Sequence, residues 1–187
     1  VEHLIREGYR HIVHLQGPDD VYNSVERARG YKDALAKFNI PFNKDRMLKA
    51  GLTFKDGANA ADMLIEKGIS FDAIFAFTDT LAIGAMNRLR DLGKKIPEEI
   101  AIASFSGTVL STIVYPQLTT VEPPLQQMGK VVAELIIEKI KEPLSPNRSI
   151  VLDAEIKLRA SSKKEKKYKL SSLGKQACFR TFEDSFV

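Results

Sequence analysis

Four short apolar segments alternate with helical patterns, and this alternation constrains the fold of the 187-residue chain more than any other feature. The segments are residues 11–17, 46–52, 72–77 and 100–106, and the last two are nearly continuous apolar runs. Such runs are typical of parallel strands that helices cover on both faces. Strands that alternate with amphipathic helices are joined by right-handed crossovers. The sequence therefore predicts an α/β fold with a doubly wound, mainly parallel sheet.

Three apolar stripes at helical spacing predict the crossover helices. Gly84, beside the third stripe, is interpreted as the position where that helix approaches the sheet. A further helical pattern begins at Val1 and ends before Gly8, which indicates a fragment of a longer protein. The three stripes are Ala28, Tyr31, Leu35 and Phe38; Ala61, Leu64 and Ile65; and Leu81, Ala85, Leu89 and Leu92.

The order of elements changes after the fourth strand. Residues 115–124 are extended and fenced by prolines, as in a crossing strand or hinge, and residues 128–140 form an amphipathic helical pattern. Residues 149–159 alternate apolar and polar side chains and predict a final strand at a sheet edge. Residues 163–187 show neither period. The sequence thus predicts a domain over residues 1–162 and a basic, weakly ordered tail over residues 163–187.

Charge and composition exclude several classes of protein. The run "KKEKKYK" over residues 163–169 supplies the whole net charge of +4, so the globular part is not a basic surface. No apolar run approaches the roughly 20 residues that span a bilayer, and the single cysteine, Cys178, cannot form an internal disulfide. No histidine has metal-ligand spacing, and no glycine-rich phosphate loop is present. We therefore expect no metal, no cofactor and no catalysis.

Polar residues follow all four predicted strands, where carboxyl ends of parallel strands meet helix N-termini and ligands bind. These short hydroxyls, carboxylates and amides can form several directional hydrogen bonds with a polyol or purine. The sequence therefore predicts a ligand site at this edge of the sheet. The candidates are residues 16–20, 52–53, 78–79 and 106–108, with Asn23, Ser24 and Arg27 at the start of the first crossover helix.

Each candidate also has a simpler interpretation. Thr78 or Asp79 can cap the helix that starts there, a contribution of about 1 kcal/mol, and capping is compatible with ligand contact. Arg27 can be a solvated helix residue, and residues 106–107 can form a plain turn. Spacing alone leaves these alternatives open.

The sequence resembles the effector-binding region of the LacI/GalR family of bacterial transcriptional repressors over about residues 1–162. The similarity is most specific at Asp79, followed by "IPE" at residues 96–98 and "LTT" at residues 118–120. It implies a Rossmann-like lobe of a type I periplasmic-binding-protein-like fold, mostly the second lobe. The phrases are "VEHLIREGYRHIVHLQGP", "SVERARGYKDAL", "FDAIFAFTDTLAIGAMNRLRDLGKKIPEEIAIASFS", "YPQLTTVEPPLQQMGKVVAELIIEKI" and "LRASS".

The resemblance implies an effector, commonly a sugar, sugar phosphate or nucleobase, bound between two lobes. Arg27 matches the family's effector-contacting arginine, and Asn23 and Ser24 lie one turn before it. Leu52 occupies a position that often flanks the ligand. These four residues are therefore expected to contact the effector.

Two strand ends depart from the family pattern. Thr78 replaces the usual asparagine of an Asn-Asp pair, of which Asp79 remains. Ser106 replaces an aspartate that often accepts hydrogen bonds from ligand hydroxyls. Because serine is uncharged and a weaker acceptor, no relative's ligand transfers directly.

The resemblance implies a ligand-sensing domain of a dimeric, cytoplasmic regulator that binds DNA through an upstream helix-turn-helix absent from this chain. The effector would act by favouring one arrangement of the lobes, a coupling of about 1–3 kcal/mol. An exported sugar-binding protein of a transporter shares the fold and is the alternative, to be distinguished by an upstream signal peptide. The lysine-rich tail could contact DNA phosphates, but a solvated charge run is the more common explanation.

Overall fold

The computed structural model describes residues 1–164, so most of the predicted tail lies outside the described residues. Within this range, no helix is long and apolar enough to cross a membrane. The elements are α1 (Glu2–Arg6), β1 (Ile12–Gln16), α2 (Tyr22–Lys37), β2 (Met47–Lys49), α3 (Phe54–Glu66), β3 (Ala73–Ala76), α4 (Asp79–Asp91), β4 (Ala101–Phe105), α5 (Leu110–Ile113), β5 (Thr119–Glu122), α6 (Leu125–Lys141) and β6 (Glu155–Lys157).

The strands form one sheet in the order β2-β1-β3-β4-β5-β6. The first five strands are parallel, and β6 pairs antiparallel with β5 at the edge. The predicted doubly wound, mainly parallel sheet is confirmed. Because the chain leaves β1 toward β2 and returns to β3 on its other side, the topological switch point lies between β1 and β3.

Successive side chains of the inner strands point to opposite faces of the sheet and so contribute to two apolar layers. One layer joins Ile12 and Phe75 to α1 and to Tyr31 of α2. The other joins Val13 and Ile74 to α3 and α4. The helices therefore cover both faces of the sheet and bring their N-termini to one edge.

Three details of the predicted stripes are wrong. Ile65 and Leu92 are about 40% exposed, since Ile65 faces away from the sheet and Leu92 follows the last turn of α4. Gly84 does not face the sheet: a Cβ atom built there would overlap the carbonyl oxygen of Phe54 in α3. Its missing side chain lets α4 approach a neighbouring helix, which an apolar stripe alone does not reveal.

The C-terminal strands differ from the prediction in extent. The extended segment over residues 115–124 contributes β5, an inner strand beside β4. The final strand, predicted over residues 149–159, is only the three residues of β6. The apolar residues before it, Ile150, Leu152 and Ala154, line a cavity beside α6 and do not pair with the sheet. Their alternation therefore reflects one side that faces this cavity.

Helix α6 confirms the predicted amphipathic helix, yet none of its residues is buried. Leu125, Val132, Ile136 and Ile140 are each more than half exposed. Among the described residues, only the segment before β6 lies opposite this apolar face, across the cavity, and it buries no residue of the helix.

His14 lies at the centre of the α2 layer and is fully buried. Its ring stacks on Tyr31 and Phe75, and Nδ1 donates a hydrogen bond of 2.9 Å to the carbonyl oxygen of Phe75. Burial lowers the pKa of His14 to about 4, against the opposing effect of this hydrogen bond. The imidazole is therefore neutral at neutral pH.

We expect the free energy of unfolding to fall as the pH decreases through the range of roughly 6.5 to 4. His14 has a lowered pKa when folded, so the unfolded state binds the proton first as the pH drops. The loss should reach about 2 kcal/mol at about pH 5. Urea unfolding at about pH 7.5 and pH 5 measures it. His14→Phe should flatten this dependence, whereas the exposed-site control His11→Gln should not; an unchanged slope in His14→Phe contradicts the assignment.

Candidate functional site

Arg27 of α2 reaches across the switch point to the ends of β3 and β4. Its Nη1 donates a 2.6 Å hydrogen bond to the carbonyl oxygen of Phe77. Its Cζ lies 3.8 Å from the ring centroid of Phe105 and 4.6 Å from that of Phe77. Two cation–π contacts and one hydrogen bond therefore hold the half-buried guanidinium in place.

Asp79 is fully buried and forms the centre of a hydrogen-bond cluster. Its Oδ1 accepts bonds from the hydroxyl groups of Ser104 and Thr120, at 2.6 and 2.7 Å. Its Oδ2 accepts bonds from the main-chain N–H and the hydroxyl of Thr108, at 2.6 and 2.8 Å. One carboxylate thus joins the start of α4 to β4, β5 and the loop after β4.

The helices that begin at this edge differ in their caps. Thr78 accepts a hydrogen bond from the main-chain N–H of Leu81, so the predicted capping role is present. Thr53 and Asp56 form a complete capping box at α3. Helix α2 has neither a side-chain cap nor an acidic residue in its first turn. Of these three helices, α2 therefore has the fewest side chains that stabilise the positive end of its dipole.

Ser106 and Gly107 form a tight turn after β4. Ser106 has a φ of 139° and Gly107 a φ of 64°, so the non-glycine residue carries backbone strain. Gly107 donates its N–H to the hydroxyl of Thr120, and a Cβ atom there would overlap the side chain of Glu122. The Asp79 cluster therefore extends, through Thr120, to the strained turn.

Two cavities open at this edge, and Pro123 and Pro124 line both. The larger, about 530 Å³, lies between α2, α6 and the segment before β6. The smaller, about 410 Å³, lies beside the turn at Ser106 and Glu122. The larger is lined by Asn23, Glu26, Arg27, Phe105, Pro123, Pro124, Met128, Val131, Val132, Leu135, Ile150, Leu152 and Ala154.

The structure separates the seven candidate residues into three groups. Asn23 and Arg27 line the larger cavity and Ser106 lines the smaller. Thr78 lines neither cavity. It directly follows Phe77, whose carbonyl oxygen accepts the hydrogen bond from Arg27. The remaining three also line neither: Ser24 and Asp79 are fully buried, and Leu52 is exposed on the loop before α3.

Sequence reasoning missed three residues that shape the site. Phe77 and Phe105 enclose the guanidinium of Arg27, and Glu122 packs on Gly107 and pairs with Arg159 at 3.0 Å. An aromatic residue at the end of two neighbouring strands was the available signal.

Three buried polar atoms of β1 and α2 have no hydrogen-bond partner among the described residues: Nε2 of His14, Oε1 of Gln16 and Oγ of Ser24. Buried groups of this kind usually bond to protein or to ordered water. All three lie on β1 and α2, and none of the three residues lines either cavity.

The fold and the site together define a class of protein. The larger cavity lies at the carboxyl ends of β4 and β5, and Arg27 on its wall reaches the end of β3; ligands of α/β lobes bind at this edge of the sheet. Residues 1–164 contain no group of three side chains that could hold a metal ion. The arrangement is that of an α/β lobe with a cavity at the carboxyl edge of its sheet.

The chain belongs to the periplasmic binding protein-like domain family, in the form found in LacI-type transcriptional regulators; the family profile matches residues 1–162. It is 30% identical over 162 residues to the HTH-type transcriptional repressor PurR of Aliivibrio fischeri (strain MJ11). The aligned region covers 86% of this chain and 48% of the PurR chain.

Two solved structures show the same lobe. The transcriptional regulator CelR in complex with cellobiose has a TM-score of 0.82 and 28% identity, over 86% of this chain and 49% of that one. A sugar-binding LacI-family regulator from Escherichia coli in complex with phosphate has a TM-score of 0.77 and 29% identity, over 86% and 57%. The chain spans about half the length of these proteins.

Proposed function

We propose that this chain is the ligand-sensing lobe of a LacI-type regulator, in which a small sugar-like or nucleobase effector controls operator binding. The observation that carries the proposal is the fixed guanidinium of Arg27 at the wall of the 530 Å³ cavity. The family and the fold agree with it, and relatives include regulators solved with cellobiose and with phosphate. Relatives are regulators, which supports a non-enzymatic role and a cytoplasmic location.

The roles proposed for the site residues follow from their positions. Arg27 anchors the effector, and Asn23 and Ser106 offer it further hydrogen bonds from the two cavities. Thr78 supports the site by capping α4. Asp79 acts indirectly, since both of its oxygens are already occupied by neighbouring donors.

Ser24 and Leu52 were expected to contact the effector and are the weakest of the proposed contacts. Ser24 is fully buried, so it can reach a ligand only if α2 shifts. Leu52 is exposed but lines neither cavity, so it can contact a ligand only from the loop before α3.

The opposite wall of the site is proposed to be a first lobe. The bare apolar face of α6 and the cavity beside it support this, because exposed patches of this kind usually mark interaction surfaces. Effector binding between the lobes would stabilise one relative arrangement and change the spacing of paired DNA-binding heads. We propose that the full-length protein is a homodimer, which the exposed Val109, Ile113 and Tyr115 around α5 support.

An exported sugar-binding protein remains the second candidate for the fold, but the matched relatives are transcriptional regulators and do not favour it. Operator binding separates the two. The full-length regulator should bind a specific DNA site, and its effector should change that affinity, whereas an exported binding protein should bind no operator.

Arg27→Ala should weaken effector binding by about tenfold to a hundredfold, the equivalent of one or two charge-assisted hydrogen bonds. Calorimetric titration of the full-length protein with a panel of sugars and nucleobases measures this. Lys32→Ala is the matched control, because Lys32 is an exposed cation on the same helix and lines neither cavity. If Arg27→Ala binds every hit as tightly as the unmodified protein, the cavity is not the effector site.

A further inference from the structure

We propose that the effector carries an anionic oxygen group, a phosphate or a carboxylate, and that Arg27 binds this group. The inference rests on the proposed effector-binding function and narrows the chemical class of the ligand. It is drawn from the balance of charges around the larger cavity.

The guanidinium of Arg27 has donors to spare. One nitrogen, Nη1, bonds to the carbonyl oxygen of Phe77, and the described residues supply no hydrogen-bond partner for Nε or Nη2. The rings of Phe77 and Phe105 hold the guanidinium from two sides. A guanidinium fixed with free N–H groups is suited to bidentate binding of an oxyanion.

Arg27 also has no carboxylate partner within residues 1–164, because the acidic groups nearby are already engaged. Glu26, which lines the same cavity, pairs with Arg29. Glu122, which lines the smaller cavity, pairs with Arg159.

Asp79 is the acidic group that acts on Arg27 from a distance. Its oxygens accept four hydrogen bonds from neutral donors, so it forms no direct pair. Burial lowers the pKa of Arg27 to about 10, and the charge of Asp79 opposes this shift. Arg27 therefore stays protonated at neutral pH and bears the cost of partial burial without an ion pair, which a bound anion would offset.

Two features beside Arg27 favour an anion. Ser106, which directly follows Phe105, is uncharged. The N-terminus of α2, from which Asn23 lines the cavity, lacks an acidic residue and a side-chain cap. The dipole of this helix therefore adds to the favourable potential of Arg27.

The test is calorimetric titration of the full-length protein with matched pairs: glucose and glucose 6-phosphate, ribose and ribose 5-phosphate, galactose and galacturonate. The anionic member of at least one pair should bind ten times more tightly or better. Arg27→Gln should abolish this preference, while Lys32→Gln, which removes the same charge from an exposed position of the same helix and lines neither cavity, should keep it. Ser106→Asp, which places a carboxylate beside Phe105, should reduce the preference at least tenfold.

Inorganic phosphate is a second probe, read as a shift of the melting temperature against chloride at equal ionic strength. Phosphate should stabilise the unmodified protein and Lys32→Gln, but not Arg27→Gln. A neutral sugar that binds as tightly as its phosphate ester overturns the anionic class and leaves the effector-binding proposal intact. If phosphate raises the melting temperature through Arg27 but no sugar or nucleobase binds, the anion site is supported. The proposal that the effector is a sugar or a nucleobase is then contradicted. Absence of both effects overturns the inference.

Discussion

Asp79→Ala should lower the free energy of unfolding by about 3–5 kcal/mol, the range expected when one partner of a buried, charged hydrogen-bond cluster is removed. The substitution leaves the hydroxyl groups of Ser104 and Thr120 without their acceptor. It also leaves two donors of Thr108, one of them a main-chain N–H, unsatisfied. Denaturant unfolding of the full-length protein measures the loss.

Two further variants separate the cluster from helix capping. Asp79→Asn keeps the shape of the side chain but replaces one of the two acceptor oxygens with an NH₂ group, which faces donors and cannot accept from them. It should therefore still lower the free energy of unfolding by about 2 kcal/mol or more. Thr78→Ala, one residue earlier, removes only a cap and should cost about 1 kcal/mol. An Asp79→Asn protein as stable as the unmodified one would show that the carboxylate does not organise the strand ends.

Gly84→Ala should destabilise the chain by about 2–4 kcal/mol, since the new methyl group meets backbone and cannot be accommodated by a side-chain rotation. The Cβ atom would overlap the carbonyl oxygen of Phe54 in α3. Gly57→Ala should have a similar effect, because its Cβ atom would overlap the carbonyl oxygen of Leu81 in α4. The two glycines allow α3 and α4 to pack backbone against backbone.

Gly30→Ala is the matched control for this prediction. Gly30 lies inside α2, and a Cβ atom there meets nothing within 4 Å. Alanine should therefore stabilise the helix by about 0.5–1 kcal/mol through its better helix propensity. Thermal unfolding of the three variants should move the melting temperature down for Gly84→Ala and Gly57→Ala and up for Gly30→Ala. Equal shifts of the same sign would mean that the helix contact is not tight.

The order of strands and helices was predictable because it depends on local periodicity. Apolar runs such as residues 72–77 have one stable environment, a strand covered on both faces, and the crossover rule then restricts the topology. The edge position of β6 followed from its alternation. Its length did not, because residues 149–154 alternate in the same way while they face α6.

The chemistry of the site was harder to predict because its partners lie far apart in the sequence. The residues that bind Asp79 are 25 to 41 positions away, on β4, β5 and the loop between them. Position at this edge of the sheet predicted Arg27, Thr78 and Ser106 as candidates, and the structure places them on the larger cavity, beside Phe77 and on the smaller cavity, respectively. Position alone could not distinguish Asp79, whose carboxylate oxygens accept hydrogen bonds from neighbouring protein groups, from an aspartate with oxygens free to bind a ligand.

The uncovered face of α6 has a consequence for local stability. A helix that buries none of its residues contributes little to the cooperative unit formed by the sheet and α2 to α4, so its amide protons should exchange with solvent at nearly the rate of a frayed segment. Any partner that docks there would slow that exchange by many fold. Hydrogen exchange at α6 would therefore report directly whether a partner has docked on this face.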